Sequence, residues 1–122
     1  MGTSGDTLLI VEDDVDVREA VAIFFEAEGY EVLQAANGAD ALAMLRSTRG
    51  VCLILLDLFM PIMDAWAFRR AQLADPELAA VPVIVITADH LASDQAKALG
   101  ARGWHTKPID FDRLMADVDA YC

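Results

Sequence analysis

An open, doubly wound α/β sheet of five parallel strands is the fold this sequence predicts, and three observations carry it. Short apolar runs alternate five times with longer amphipathic segments. The third and fourth runs, Val51–Leu56 (VCLILL) and Val81–Thr87 (VPVIVIT), are apolar without alternation, as strands covered by helices on both faces must be. The chain has 122 residues, too few for a closed (β/α)8 barrel, which needs about 250. The expected strand order is the flavodoxin-like 2-1-3-4-5, with ligands outside the carboxyl ends of the strands.

Thr7–Val11 (TLLIV) reads as the first strand, with residues 1–6 as a flexible N-terminal segment and 7–122 as one domain. Val17, Ala20, Val21, Phe24 and Glu28 then fall at helical spacing, and Gly29 supplies the stop. Val32–Ala35 is the second strand. Asn37 can cap a second helix that turns Ala41, Leu42 and Leu45 inward. After the third strand, Asp64 to Ala74 makes a third helix, capped by Asp64 and closed by Asp75-Pro76, because a residue before proline is driven out of the helical region. Ser93 to Leu99, ended by Gly100, is Ala-rich with few large anchors and is expected to be the loosest helix. Gly103–Thr106 (GWHT) is a fifth strand. Phe111, Leu114, Met115 and Val118 mark the last helix, with Asp110 or Asp112 near its start. Phe24, Phe25 and Phe111 are expected in the core.

Composition narrows the function. At 56% hydrophobic the chain can build a sizeable core, and no linker or repeat divides it. Nine basic against 20 acidic residues leave a net charge of −11, which repels nucleic-acid backbones and anionic membranes. No apolar stretch approaches the roughly 20 residues of a membrane span, and Met1 to Asp6 lacks a signal-peptide core, so a soluble, cytoplasmic protein is expected. Cys52 reads as a small core residue and Cys122 ends the chain; reduced thiols are expected rather than a bond between them. His90 and His105 have no metal-ligand spacing, and no zinc is expected.

The chemistry lies at the strand ends. Glu12, Asp13 and Asp14 follow the first strand, Asp57 the third, Thr87 ends the fourth, and Lys107-Pro108 follow the fifth. With the first and third strands adjacent, Glu12, Asp13 and Asp57 converge, while Asp14 serves as a helix cap. Two like charges about 4 Å apart cost roughly 4 kcal/mol at an effective dielectric of 20. A hard divalent cation removes that cost, and short oxygen ligands suit Mg2+. Three carboxylates, one Mg2+ and the Lys107 ammonium sum to zero. Such a pocket suits phosphoryl transfer to Asp57 as nucleophile, with Lys107 and Thr87 offsetting charge on the transferred oxygens. There is no glycine-rich loop after the first strand (VEDDVDV) to cradle a free phosphate.

The motifs LLIVEDD, LLDLFMPIMD, VIVITA and GARGWHTKP, in this order, resemble those of a response regulator receiver domain over nearly the whole chain. That resemblance implies that Asp57 takes a phosphoryl group from a sensor histidine kinase or a histidine phosphotransfer protein. It implies Mg2+ ligation by Asp13 and Asp57, by the Phe59 backbone carbonyl and through water by Glu12, and a cis bond at Lys107-Pro108. Thr87 and Trp104 would then transmit a switch to a downstream protein partner. The output face is the fourth helix, fifth strand and fifth helix, around Lys97, Arg102, Trp104 and Asp112, where a phosphorylation-dependent homodimer is a further outcome. No turnover of outside substrates and no binding of nucleic acid or membrane is expected. Two other readings stand beside it. An aspartate-nucleophile phosphatase of the haloacid dehalogenase kind wants a general-acid aspartate where Phe59 stands. A receiver-like adapter that takes no phosphate would fit loss of an acidic residue, Asp57 or Lys107.

Three residues depart from the family pattern. Trp104 stands where a tyrosine or phenylalanine is usual, Ala65 where glycine is common, and His105 where an apolar residue is typical. Phe59 and Asp89 occupy positions that modulate attack by water on the acyl phosphate, and the large Phe59 side chain is expected to restrict it.

Overall fold

The computed structural model describes residues 7–122; the expected N-terminal segment 1–6 lies outside the described residues. Five parallel strands, β1 (Thr7–Val11), β2 (Glu31–Ala35), β3 (Val51–Leu56), β4 (Val83–Thr87) and β5 (Gly103–Thr106), lie in the order β2-β1-β3-β4-β5. The helices are α1 (Val15–Ala27), α2 (Gly38–Ser47), α3 (Ala65–Ala74), α4 (Ala92–Leu99) and α5 (Phe111–Tyr121).

Alternate residues of each central strand enter opposite halves of the core. Leu8, Ile10, Leu53, Leu55, Ile84 and Ile86 pack against Val21, Phe25, Leu114 and Val118 of α1 and α5. Leu9, Val11, Ile54, Leu56, Val83 and Val85 pack against Leu42, Leu45, Phe68 and Leu99 of α2, α3 and α4. Both faces are therefore buried, which is why these strands show no polar alternation. The edge strands carry the polar exceptions, Glu31 and Gln34 on β2 and Thr106 on β5.

Helix starts follow local chemistry. Asp14, Asn37, Asp64 and Asp110 each accept a backbone N–H from the first turn of α1, α2, α3 and α5, respectively. The shortest helix, α4, has no side-chain cap at Leu91, although Asp89 Oδ1 accepts the Leu91 N–H at 2.8 Å. Gly29 and Gly100 end α1 and α4 at φ +96° and +71°.

Three expectations are corrected. The inward face of α1 is Val21, Ala22 and Phe25; Ala20 is exposed and Phe24 is half-buried against Phe111. Two consecutive phenylalanines leave the phase of a helix uncertain by one residue, about 100° of rotation. Strand β4 begins at Val83 rather than Val81, because the Gln72 Nε2 takes the Val81 carbonyl and Pro82 has no N–H for a ladder. Cys52 and Cys122 are joined in a disulfide with Cα atoms 5.5 Å apart. The last turn of α5 brings Cys122 against the start of β3, a proximity that a separation of 70 residues conceals.

Ile62 is 85% exposed and sits at φ +69°, a left-handed conformation that costs a β-branched residue about 1–2 kcal/mol. Ile62→Asn is therefore expected to raise stability by about 1 kcal/mol, read as a higher midpoint in urea with an unchanged slope.

Candidate functional site

Each ladder runs one residue past its strand and so delivers a polar side chain to the same rim. The Glu12 N–H donates to the Ala35 carbonyl at 3.0 Å, the Asp57 N–H to the Val11 carbonyl at 2.9 Å, and the Lys107 N–H to the Thr87 carbonyl at 2.9 Å. Glu12, Asp57 and Thr87 are buried, whereas Asp13 is exposed. Carboxylate oxygens of Glu12, Asp13 and Asp57 all lie within 4.8 Å of one another.

The side chains are individually held. Asp57 Oδ1 accepts the Leu58 N–H at 2.8 Å, and its Oδ2 lies 3.6 Å from Lys107 Nζ. Glu12 Oε2 accepts the Asp14 N–H at 3.2 Å while its Oε1 meets Lys107 Nζ at 2.5 Å. Thr87 Oγ1 accepts the Asp89 N–H at 3.3 Å, which leaves its own proton free to donate. The Lys107–Pro108 peptide is cis.

The electrostatics are those of an acid-rich pocket. Burial, reinforced by the Asp57 hydrogen bond and charge, pushes Glu12 up to about 7, against the pull of Lys107 and the Asp14 N–H. Burial works to lower Lys107, but the Glu12 hydrogen bond and the charges of Asp57 and Glu12 outweigh it, so its ammonium is held above the ordinary range. Three carboxylates and one ammonium leave a formal charge of −2. A divalent cation held by oxygen ligands is the charge and chemistry that close such a set.

Other singled-out residues lie elsewhere. Phe59 is 58% exposed beside the rim, its ring 5.8 Å from that of Trp66. Trp104 is 46% exposed on β5, and Lys97, Arg102 and Asp112 are exposed as well. His105 is buried with Nε2 2.6 Å from Asp117 Oδ2, whereas His90 is exposed beside Asp89, so the two histidines share no site. Sequence reading missed Arg18. It is the lone base in the acidic run from Glu12 to Glu19, and that contrast was the available signal.

Among the described residues, no helix is long and apolar enough to cross a membrane.

Residues 8–119 match the family model of the response regulator receiver domain. Among curated proteins the chain is 32% identical over 115 residues to PilH of Pseudomonas aeruginosa, covering 93% of this chain and 94% of that one. It spans about half the length of other relatives, such as the phosphate regulon regulator PhoB of the same organism (34% identity, 51% of its length). Among solved structures it is similar to the chemotaxis response regulator CheY4 of Vibrio cholerae, with TM-score 0.84, 30% identity and coverage of 95% and 98%. It is also similar to the response regulator TrrA of Thermotoga maritima, solved in complex with Mg(2+)-BeF, with TM-score 0.82, 27% identity and coverage of 96% and 99%. With the acids of β1 and β3 and the lysine after β5 meeting at one rim of this fold, the chain belongs to the response regulator receiver domains of two-component systems.

Proposed function

We propose that Asp57 is the phosphoacceptor of a switch that takes its phosphoryl group from a phosphohistidine on a sensor kinase or phosphotransfer protein. The observation that carries this reading is the meeting of Glu12, Asp13 and Asp57 within 4.8 Å, with Lys107 Nζ against two of them. Mg2+ held by these carboxylates and the Phe59 carbonyl would supply positive charge to the transferred oxygens. TrrA, whose structure contains Mg(2+)-BeF, supports the choice of ion. Asp57 contributes the attacking oxygen: its O–P bond forms as the donor's N–P bond breaks. Lys107 donates to one equatorial oxygen, and the Thr87 hydroxyl, with its proton free, donates to another. Because Asp89 already donates to Thr87 Oγ1, a Thr87 that turns toward phosphate pulls on the loop before α4. That movement biases the face of α4, β5 and α5, including Trp104, toward a downstream partner or a second copy. We assign this work to the cytoplasm, with no nucleic-acid or membrane contact by this domain.

An apolar groove of about 310 Å3 beside Lys107, lined by Val17, Ala20, Pro108, Ile109 and Phe111, suits approach of a donor helix. Phe59 replaces the general acid that an aspartate-nucleophile phosphatase needs two residues after its nucleophile, which favours a switch over turnover. The test is intact mass after incubation with Mg2+ and a small phosphoramidate or acyl phosphate. One phosphoryl group gained only with Mg2+ supports the switch, continuous phosphate release from general phosphoesters favours the phosphatase, and no gain favours the adapter.

Two further results are expected. Phe59→Asn opens the rim to water and speeds loss of the phosphoryl group several-fold; an unchanged decay counts against the steric role. The second concerns pH. Glu12 titrates near 7 in the fold against an ordinary 4.5, so its contribution to stability is full below about pH 4.5 and is lost as pH rises through about 7. Mg2+ needs the carboxylate, so its stabilising effect competes with this proton. Thermal melts should show a larger Mg2+-induced rise in Tm at about pH 8 than at about pH 6.

A further inference from the structure

Within the acidic cluster, the three carboxylates are not held alike. Asp57 is fixed by the Leu58 N–H and Lys107, and Glu12 by the Asp14 N–H and Lys107. The Asp13 carboxylate has no hydrogen-bond or ion-pair partner of its own among the described residues, and it is exposed. Its place beside the other two therefore depends on the main chain that carries it. That main chain is the single peptide between Glu12 and Asp13, just past the last residue of β1.

The N–H of Glu12 is spent on the β2 ladder, and its carbonyl takes its hydrogen bond from a side chain. Arg18, one turn into α1, reaches back to it: Nη1 donates to the Glu12 carbonyl oxygen at 2.9 Å, and Nε donates to Gln34 Oε1 on β2 at 3.3 Å. One planar guanidinium thus ties the peptide joining two acids of the cluster to the neighbouring strand. Arg18 also lines, with Glu12 and Asp57, a small cavity of about 10 Å3.

We propose that Arg18 is a positioning residue, clamping the Glu12–Asp13 peptide so that Asp13 stays in register with Glu12 and Asp57 for a divalent cation. This rests on the reading that the cluster holds Mg2+. It has a sign that charge alone would reverse. A cation near the site repels Mg2+, so if Arg18 acted only through its field, removing it would tighten Mg2+ binding. If it acts by fixing the peptide, removing it weakens binding, and outer-shell residues of this kind are worth about tenfold or more in metal affinity.

The experiment is calorimetric titration of the full chain with Mg2+ alone, with thermal melts to check folding. Arg18→Met keeps the aliphatic stem and is expected to weaken Mg2+ about tenfold. Arg18→Lys keeps the charge without the fork and should not restore wild-type affinity. Gln34→Ala, at an exposed site that leaves folding intact, should weaken binding less than Arg18→Met and add nothing to it in the double variant. Unchanged or tighter Mg2+ binding by Arg18→Met, or by Gln34→Ala if the first variant fails to fold, overturns the role of Arg18. Failure of the wild-type chain to bind Mg2+ removes the underlying reading, and the proposal with it.

Discussion

Asp57→Asn is expected to abolish the Mg2+-dependent gain of a phosphoryl group while leaving the metal-free protein more stable at alkaline pH. The first effect follows from chemistry: a carboxamide has no anionic oxygen to attack phosphorus and is a poorer ligand for a hard cation. The second follows from the crowding of the site. Asp57 raises Glu12 both through a hydrogen bond and through its charge. Without that carboxylate, Glu12 falls back toward its ordinary range. A group raised in the fold destabilises it above the raised value, so the relief is greatest at about pH 8 and absent well below pH 4.5. The gain should be on the order of 1 kcal/mol. Intact mass reads the first effect and urea denaturation in chelator the second. A variant that still gains mass would displace Asp57 as acceptor, and one destabilised at about pH 8 would contradict the electrostatic account.

Removing the bond between Cys52 and Cys122 is expected to be the largest stability change among these variants. The bond closes a loop with a sequence separation of 70 and ties the end of α5 to the beginning of β3. Loop-closure entropy puts the stabilisation at about 4 kcal/mol, and residual structure in the unfolded chain lowers this to about 3. For a domain of this size that is on the order of 10 °C in Tm. Melting the protein with and without a thiol reductant measures it, and a Cys122→Ser variant should melt like the reduced protein. Coincident melts of oxidised and reduced protein would show that α5 is held by Leu114 and Val118 packing alone.

How much of this was legible beforehand depends on the range over which each feature is encoded. The extents of β1 and β3 were readable to the residue, because a contiguous apolar run and the polar residue that ends it are local facts. The caps Asp14, Asn37, Asp64 and Asp110 were equally local, since each side chain bonds backbone two or three residues away. The chemistry was legible for the same reason: in a parallel sheet the residue after each strand must emerge at one rim, so Glu12, Asp13, Asp57, Thr87 and Lys107 could be brought to one place before any coordinates. Other features were not local. Gln72 is buried in α3, where its Nε2 donates to the carbonyls of Leu78 and Val81 and its Oε1 accepts from Arg69, and this moved the start of β4.

By itself the sequence determined the fold class and the rim on which the acids, threonine and lysine stand, because apolar periodicity and strand ends are written in consecutive residues; the strand order was expected from the flavodoxin-like pattern of such folds. Only the tertiary structure decided which face of α1 packs inward, that Cys52 meets Cys122, and that Arg18 reaches both Glu12 and Gln34. Those outcomes depend on distances between segments 6 to 70 residues apart, set by how the helices settle on the sheet and invisible in any local pattern.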